Sequence, residues 1–251
     1  MSDFDRNYAA ATRGVGADRA AIDAGLRAYM IRIYNYMAMG VALTGVVAWV
    51  TFNAAVTETA GKLALTSFGQ MIYSGPATIV LFLGTLGLVI LISWRIDKLQ
   101  PTTALTLFMV YAGVLGLMLS SIFLTYTGTS ITRVFFISAA SFGGLSLYGY
   151  TTQRDLSPIG SFLIMGLIGL LIAMVVNIFL KSSGLDFVIS AAGVLIFAGL
   201  TAWDTQKIKE MYDPMEDGTA VGRKSVMGAL TLYLDFINLF LFLLRLFGDR
   251  R

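Results

Sequence analysis

Seven apolar runs, each long enough to cross a bilayer at about 20 residues, constrain this chain before anything else. They fall near 29–53, 75–95, 102–126, 130–152, 157–180, 186–206 and 226–248. In lipid only a helix or a closed barrel satisfies its own backbone N–H and C=O groups, and runs of this length read as helices. Several links are very short: Asp97–Pro101, Thr127–Thr129, Thr152–Ser157 and Lys181–Leu185. Short links make successive helices run antiparallel and adjacent. The expected fold is an all-α integral membrane protein, a seven-helix transmembrane bundle over residues 29–251 with no soluble domain.

The residue types present exclude much chemistry. Only 13% of the 251 residues are charged, about half the share of a soluble domain. There is no Cys and no His, so disulfides, thiolate metal sites and imidazole bases are excluded. A Ser-His-Asp triad cannot be built. No cofactor and no structural metal are expected. The net charge of +3 is scattered, which argues against nucleic acid as a partner. Residues 1–28 mix Asp3, Asp5, Asp18 and Asp23 with Arg6, Arg13, Arg19 and Arg27. With no apolar core before a cleavage-like site, they read as a polar cytoplasmic tail and not as a signal peptide.

Lysines and arginines set the orientation. With the N-terminus inside, the cytoplasmic segments hold Arg6, Arg13, Arg19, Arg27, Arg95, Lys98, Arg154, Lys207, Lys209, Arg223 and Lys224. The opposite side holds Lys62, Arg133, Lys181, Arg245, Arg250 and Arg251. The tally favours a cytoplasmic N-terminus. The basic C-terminus is discordant, and leaves open a last segment that does not fully cross.

Two acids stand out against this apolar background. Asp235 lies in the middle of the last run and Asp204 ends the one before it. A carboxylate at the centre of a membrane helix costs about 2.5–3.5 kcal/mol on insertion scales, so it needs a partner, a proton or water. Thr231, Asp235 and Asn238 share one helix face, with Gly228 on the same side. Ser190, Gly193, Thr201 and Asp204 form a similar stripe. The simplest packing turns both seams inward. Depth fits imperfectly, because Asp235 falls roughly 13 Å from its cytoplasmic end and Asp204 only a few ångströms. Brought together, two acids share one proton. Arg95, at the inner end of the second run, is the cation placed to pair with Asp204. The bland alternatives are a solvated Asp204, an internally bonded Asp235 and an Arg95 that merely anchors its helix. Arg154–Asp155 reads as a solvated loop pair.

The runs SLYGYTTQRDLS (Ser146–Ser157), DTQKIK (Asp204–Lys209) and LYLDFINLFLFLLRLFG (Leu232–Gly248) resemble the Bax inhibitor family, the transmembrane Bax inhibitor motif containing proteins. LSSIFLTYT (Leu119–Thr127) and VNIFL (Val176–Leu180) agree with its bacterial members. The likeness extends from about residue 28 to the C-terminus, in order. It implies seven helices with the last one central, and a pH-sensitive Ca²⁺ leak. It places the paired acids of the family at Asp204 and Asp235 and its latching arginine at Arg95. The loop EMYDPMEDGTAVGRKS between the acids is longer than the family's pattern suggests.

The leading expectation is a non-enzymatic cation (Ca²⁺) leak channel, with Asp204 and Asp235 as pH sensor and ion path. Arg95 would be its latch, and Thr201, Thr231 and Asn238 a supporting polar seam. The expected partners are the bilayer, Ca²⁺ and protons, with other membrane proteins as candidates. The expected location is the bacterial inner membrane. Three alternatives stay open. An intramembrane aspartyl protease also uses two acids, but the chain lacks the GxGD and PAL motifs that class shows. A proton-coupled exchanger normally shows internal repeats, and none is clear here. A non-transporting regulator would act through protein partners.

Overall fold

The computed structural model describes the backbone of residues 3–59 and 62–251, and the side chains of 22–57 and 63–251. Helix α1 (Asp3–Ala55) leads into a hairpin of β1 (Val56–Thr59) and β2 (Lys62–Leu65), paired antiparallel with Val56 opposite Leu65. The short α2 (Ser67–Ile72) follows, then α3 (Gly75–Arg95), α4 (Pro101–Leu119) and a single turn, α5 (Ile122–Thr125). The chain ends in α6 (Gly128–Thr151), α7 (Ser157–Leu180), α8 (Ser183–Glu210) and α9 (Gly218–Phe247).

Seven of these helices are long and apolar enough to span a membrane, and the middle ones match the apolar windows closely. Three bounds differ. The first span begins at Ile22, and the backbone of α1 continues without a break through the polar segment assigned to a tail. Side chains up to residue 21 lie outside the described residues. Helix α8 runs on to Glu210 and α9 starts at Gly218, beyond where apolarity stops. Those extra turns are held by burial of Thr205, Gln206 and Ile208 on one helix and Gly222 and Ser225 on the other. Apolar windows do not register such turns, nor the hairpin after α1.

The short links are closed by local capping. Thr127, Ser182 and Asp217 accept hydrogen bonds from the first-turn N–H groups of α6, α8 and α9. Between α7 and α8 the chain reverses through Lys181 at φ 49°.

Helix α9 is the most buried span, at 72% of its apolar window against at most 39% for any other. Its buried residues run along nearly the whole helix, from Gly222 to Leu244, as in a helix covered by protein. It packs against α1, α4, α6 and α8, while α3 and α7 lie at the edges, chiefly on α4 and α8 respectively. Outward residues such as Val80, Phe179 and Leu195 are large, apolar and exposed, as a lipid-facing surface requires.

Tyr233 ties three helices together. Its ring is fully buried edge-on between Phe108 and Tyr111, and its hydroxyl lies 2.6 Å from Thr44 Oγ1. Thr44 donates its proton to the carbonyls of Gly40 and Ala112 at 3.0 and 2.9 Å. Tyr233 is therefore the donor to Thr44. Tyr233→Phe should cost only about 0.5–1.5 kcal/mol, because it orphans no buried donor. Unfolding in detergent measures this, and an unchanged stability would show that the hydroxyl contributes nothing.

The last helix is long and apolar enough to cross fully, and it runs the length of the bundle. Its end is pinned at the α5–α6 turn: Thr127 N–H donates to Asp249 O at 3.1 Å and Arg251 N–H to Thr125 O at 2.9 Å. Arg133 pairs with Asp249 at 3.0 Å. The N- and C-termini of the bundle thus lie at opposite ends. The basic C-terminus belongs to the end that carries the hairpin.

Candidate paired-carboxylate site

Helices α8 and α9 run antiparallel in direct contact, and several pairs fix their register. Gly193 faces Phe242, Ile208 faces Gly228, and Lys224 Nζ donates to Met211 O at 2.9 Å. The same register brings Asp204 beside Asp235. This register, and not distance from the helix ends, sets the level. Asp204 lies about 9 Å from the end of α8 and Asp235 about 25 Å from the start of α9 at 1.5 Å per residue, yet the pairs above put Asp204 level with Thr231 and Leu232, about one turn from Asp235. Side-chain reach covers the rest.

The two carboxyl groups meet at hydrogen-bonding range. Asp235 is 5% exposed and Asp204 half-buried. The buried Oδ2 of Asp235 has no N–H or O–H donor elsewhere among the described residues. A hydrogen bond between two carboxyl groups exists only when one carries a proton, since neither donates when ionised. The arrangement is a pair of facing carboxyl groups at the wall of the most buried helix, placed so that one proton would bridge them.

The supporting seam behaves differently from expectation. Thr201, Thr231 and Asn238 each donate to a carbonyl of their own helix, to Phe197 O, Met227 O and Leu234 O at 2.7, 3.1 and 2.8 Å. Within an apolar bundle a short polar side chain finds its nearest acceptor one turn back. They make the seam compatible with lipid depth but do not bind the acids. Gly193, on the same stripe, admits the Phe242 ring.

Arg95 does not latch Asp204 in this structure. It is exposed, with its guanidinium 6.0 Å from the Trp94 ring. Helix α3 packs chiefly on α4, so its C-terminal end is held away from α8. The cation acting on Asp204 is Lys207, on the same helix. The turn after α3 is instead tied to α9 by Arg223, whose Nε donates to Leu99 O at 2.7 Å. For this arrangement Arg95→Ala and Asp204→Asn should have additive effects on stability, within about 0.3–0.5 kcal/mol. A double-mutant cycle showing larger coupling would reinstate the latch.

Several residues around the acids were not singled out in the sequence. Tyr34 hydroxyl bonds Ser146 Oγ at 2.5 Å, and Ser146 Oγ lies 2.9 Å from Thr205 Oγ1. Thr205 donates to Thr201 O at 2.7 Å. With one proton per hydroxyl, the chain runs in a single direction from Tyr34 through Ser146 to Thr205. Gln206 clamps the α6–α7 turn, donating to Arg154 O and accepting from Leu156 N–H, both at 2.8 Å. Lys209 donates to Tyr150 O at 2.9 Å. In DTQKIK every polar residue after Asp204 except Lys207 thus fastens α8 to a neighbour, and Lys207 sits over the Trp203 ring. The signal was present in SLYGYTTQRDLS, whose Ser146 and Tyr150 supply the other halves of these contacts.

Asp155 lies in that clamped turn. Its carboxylate accepts from the Ser157 N–H at 2.8 Å, and this bond holds its pKa below the usual carboxylate value. It stays ionised at neutral pH and does not supply a switch there.

Comparison with known proteins agrees with the architecture. A family model described as inhibitor of apoptosis-promoting Bax1 matches residues 26–251. A Rickettsia prowazekii protein is 50% identical over 230 residues, covering 91% of this chain and 92% of its own length. The Escherichia coli inner membrane protein YbhL is 45% identical over 231 residues, covering 91% and 94%. A Caulobacter vibrioides protein is 42% identical over the whole of both chains. With its seven spans and these full-length likenesses, the chain belongs to the Bax inhibitor family of integral membrane proteins.

Proposed function

We propose that this protein is a cation leak channel, chiefly for Ca²⁺, gated by protonation of the Asp204–Asp235 pair. The observation that carries the reading is the contact between two carboxyl groups on neighbouring spans, one of them almost fully buried. With one proton between them the pair is a hydrogen-bonded clasp joining α8 to α9. Without it the pair is two facing negative charges, which either part or admit a cation. Carboxylate oxygens suit a hard cation. Ca²⁺ takes 6–8 oxygen ligands, so two carboxylates hold it loosely, as a conducting path requires. Protons and Ca²⁺ then compete for the same oxygens.

The positive-inside tally supports a cytoplasmic N-terminus, which puts the pair nearer the cytoplasmic face. The inner membrane location named for YbhL supports the same location for this chain.

The test is Ca²⁺ flux through the purified protein in liposomes on either side of neutral pH. The channel reading expects flux above that of protein-free liposomes, changing with pH. Flux at the protein-free level would favour a non-transporting regulator. Stoichiometric counter-movement of protons would favour an exchanger.

A further inference from the structure

We propose that the groove between α1 and α6 holds an acyl chain of an anionic phospholipid, with the phosphate beside Arg27. The groove is a cavity of about 530 Å³, walled by Arg27, Ile31 and Tyr34 on α1 and by Phe142, Gly143 and Leu147 on α6. That size lies within the roughly 300–1,000 Å³ of ordinary ligand sites. It opens sideways, since Ile31 is 48% and Leu147 62% exposed. A flank between two membrane spans faces lipid and not water.

The depth profile of the groove selects the ligand. Arg27 and Tyr34 are seven residues apart on one helix face, about 10 Å. At the Arg27 end the groove is cationic: Arg27 is exposed and makes no ion pair among the described residues. Tyr150 lines the groove too, and a second cation, Lys209, donates to its carbonyl and lies 5.5 Å from its ring. Deeper in, the wall offers no free donor, because the Tyr34 proton is committed to Ser146 and the Ser146 proton to Thr205. Beside Gly143 the space is open: a Cβ there would meet nothing within 4 Å. A charged head at one end and an apolar tail below match a cationic mouth above an apolar slot. A soluble polar ligand would leave its deeper groups unpaired.

The test is native mass spectrometry of the full-length protein with phosphatidylglycerol and phosphatidylcholine of identical acyl chains. The wild type should retain phosphatidylglycerol preferentially. Arg27→Gln should lower that preference about fivefold, the effect of one cation near a charged headgroup, while phosphatidylcholine retention holds. Gly143→Phe should plug the slot and abolish retention of both lipids at an unchanged unfolding temperature. Leu147→Trp, which fills the slot from its exposed rim, repeats the test if Gly143→Phe does not fold. Glycerol phosphate, a headgroup without tails, should displace nothing. Equal retention by the plugged variants, an unchanged preference in Arg27→Gln, or displacement by glycerol phosphate would each overturn the proposal. So would a wild-type dimer that the plug dissociates, since a second copy would then occupy the groove.

Discussion

Replacing Asp235 by Asn should leave the protein folded and flatten the pH dependence of its Ca²⁺ flux. Asn is nearly isosteric, and its amide donates to the Asp204 carboxylate that Asp235 now faces. The clasp between α8 and α9 then persists without a titrating proton between the two side chains. Stability should hold while the pair shares one proton, since one carboxylate is then ionised in both proteins. It should exceed the wild type once that proton is lost, because a second ionised carboxylate at membrane depth costs about 2.5–3.5 kcal/mol. Asp204→Asn should act in the same direction but more weakly, since Asp204 is only half-buried. Asp155 offers no competing explanation near neutrality, because its bond from Ser157 keeps it ionised there. Flux and unfolding measured on the same preparations separate the two effects. A variant that folds and keeps the wild-type pH profile would rule out Asp235 as the sensor.

The spans and the two acids were legible because their signals are local. A run of apolar residues needs no tertiary context to be read, and a carboxylate inside one is costly wherever the helix packs. The meeting of Asp204 and Asp235 was legible as well, from two seams on consecutive helices. Counting depth from the helix ends misled, because α8 and α9 extend past their apolar parts by different lengths, to Glu210 and from Gly218, with α8 held by the contacts of Thr205, Gln206 and Lys209 with α6 and the α6–α7 turn. Those partners lie about 50 to 60 residues earlier, and periodicity is blind to them. Arg95 failed for another reason. Its place at the end of its span says nothing of its neighbours, since helix order around a bundle is set by packing, and α3 packs on α4. The polar residues beside the acids were read as a functional seam, yet each found a carbonyl one turn back, a choice that sequence spacing alone does not reveal.

Gly149→Leu should be the most damaging single substitution near the site, through packing and not charge. A Cβ at Gly149 would fall on the carbonyl of Ala202, a backbone group of α8 that cannot swing aside as a side-chain tip can. Helices α6 and α8 would have to separate at this level, at an overpacking cost of about 1–3 kcal/mol. One turn away, the Ser146–Thr205 hydrogen bond would be lost with it, adding about 1 kcal/mol. Gly143→Leu on the same helix supplies the control, because its side chain enters open space. Leu is the better helix former by up to about 1 kcal/mol, so the control should match or exceed wild-type stability. Equal destabilisation of both variants in detergent unfolding would show that close approach of the two helices is not what Gly149 provides. If the gap opens as expected, Asp204, two residues beyond Ala202, moves with α8. The folded remainder of Gly149→Leu should then show an altered pH response, although no titratable group has changed.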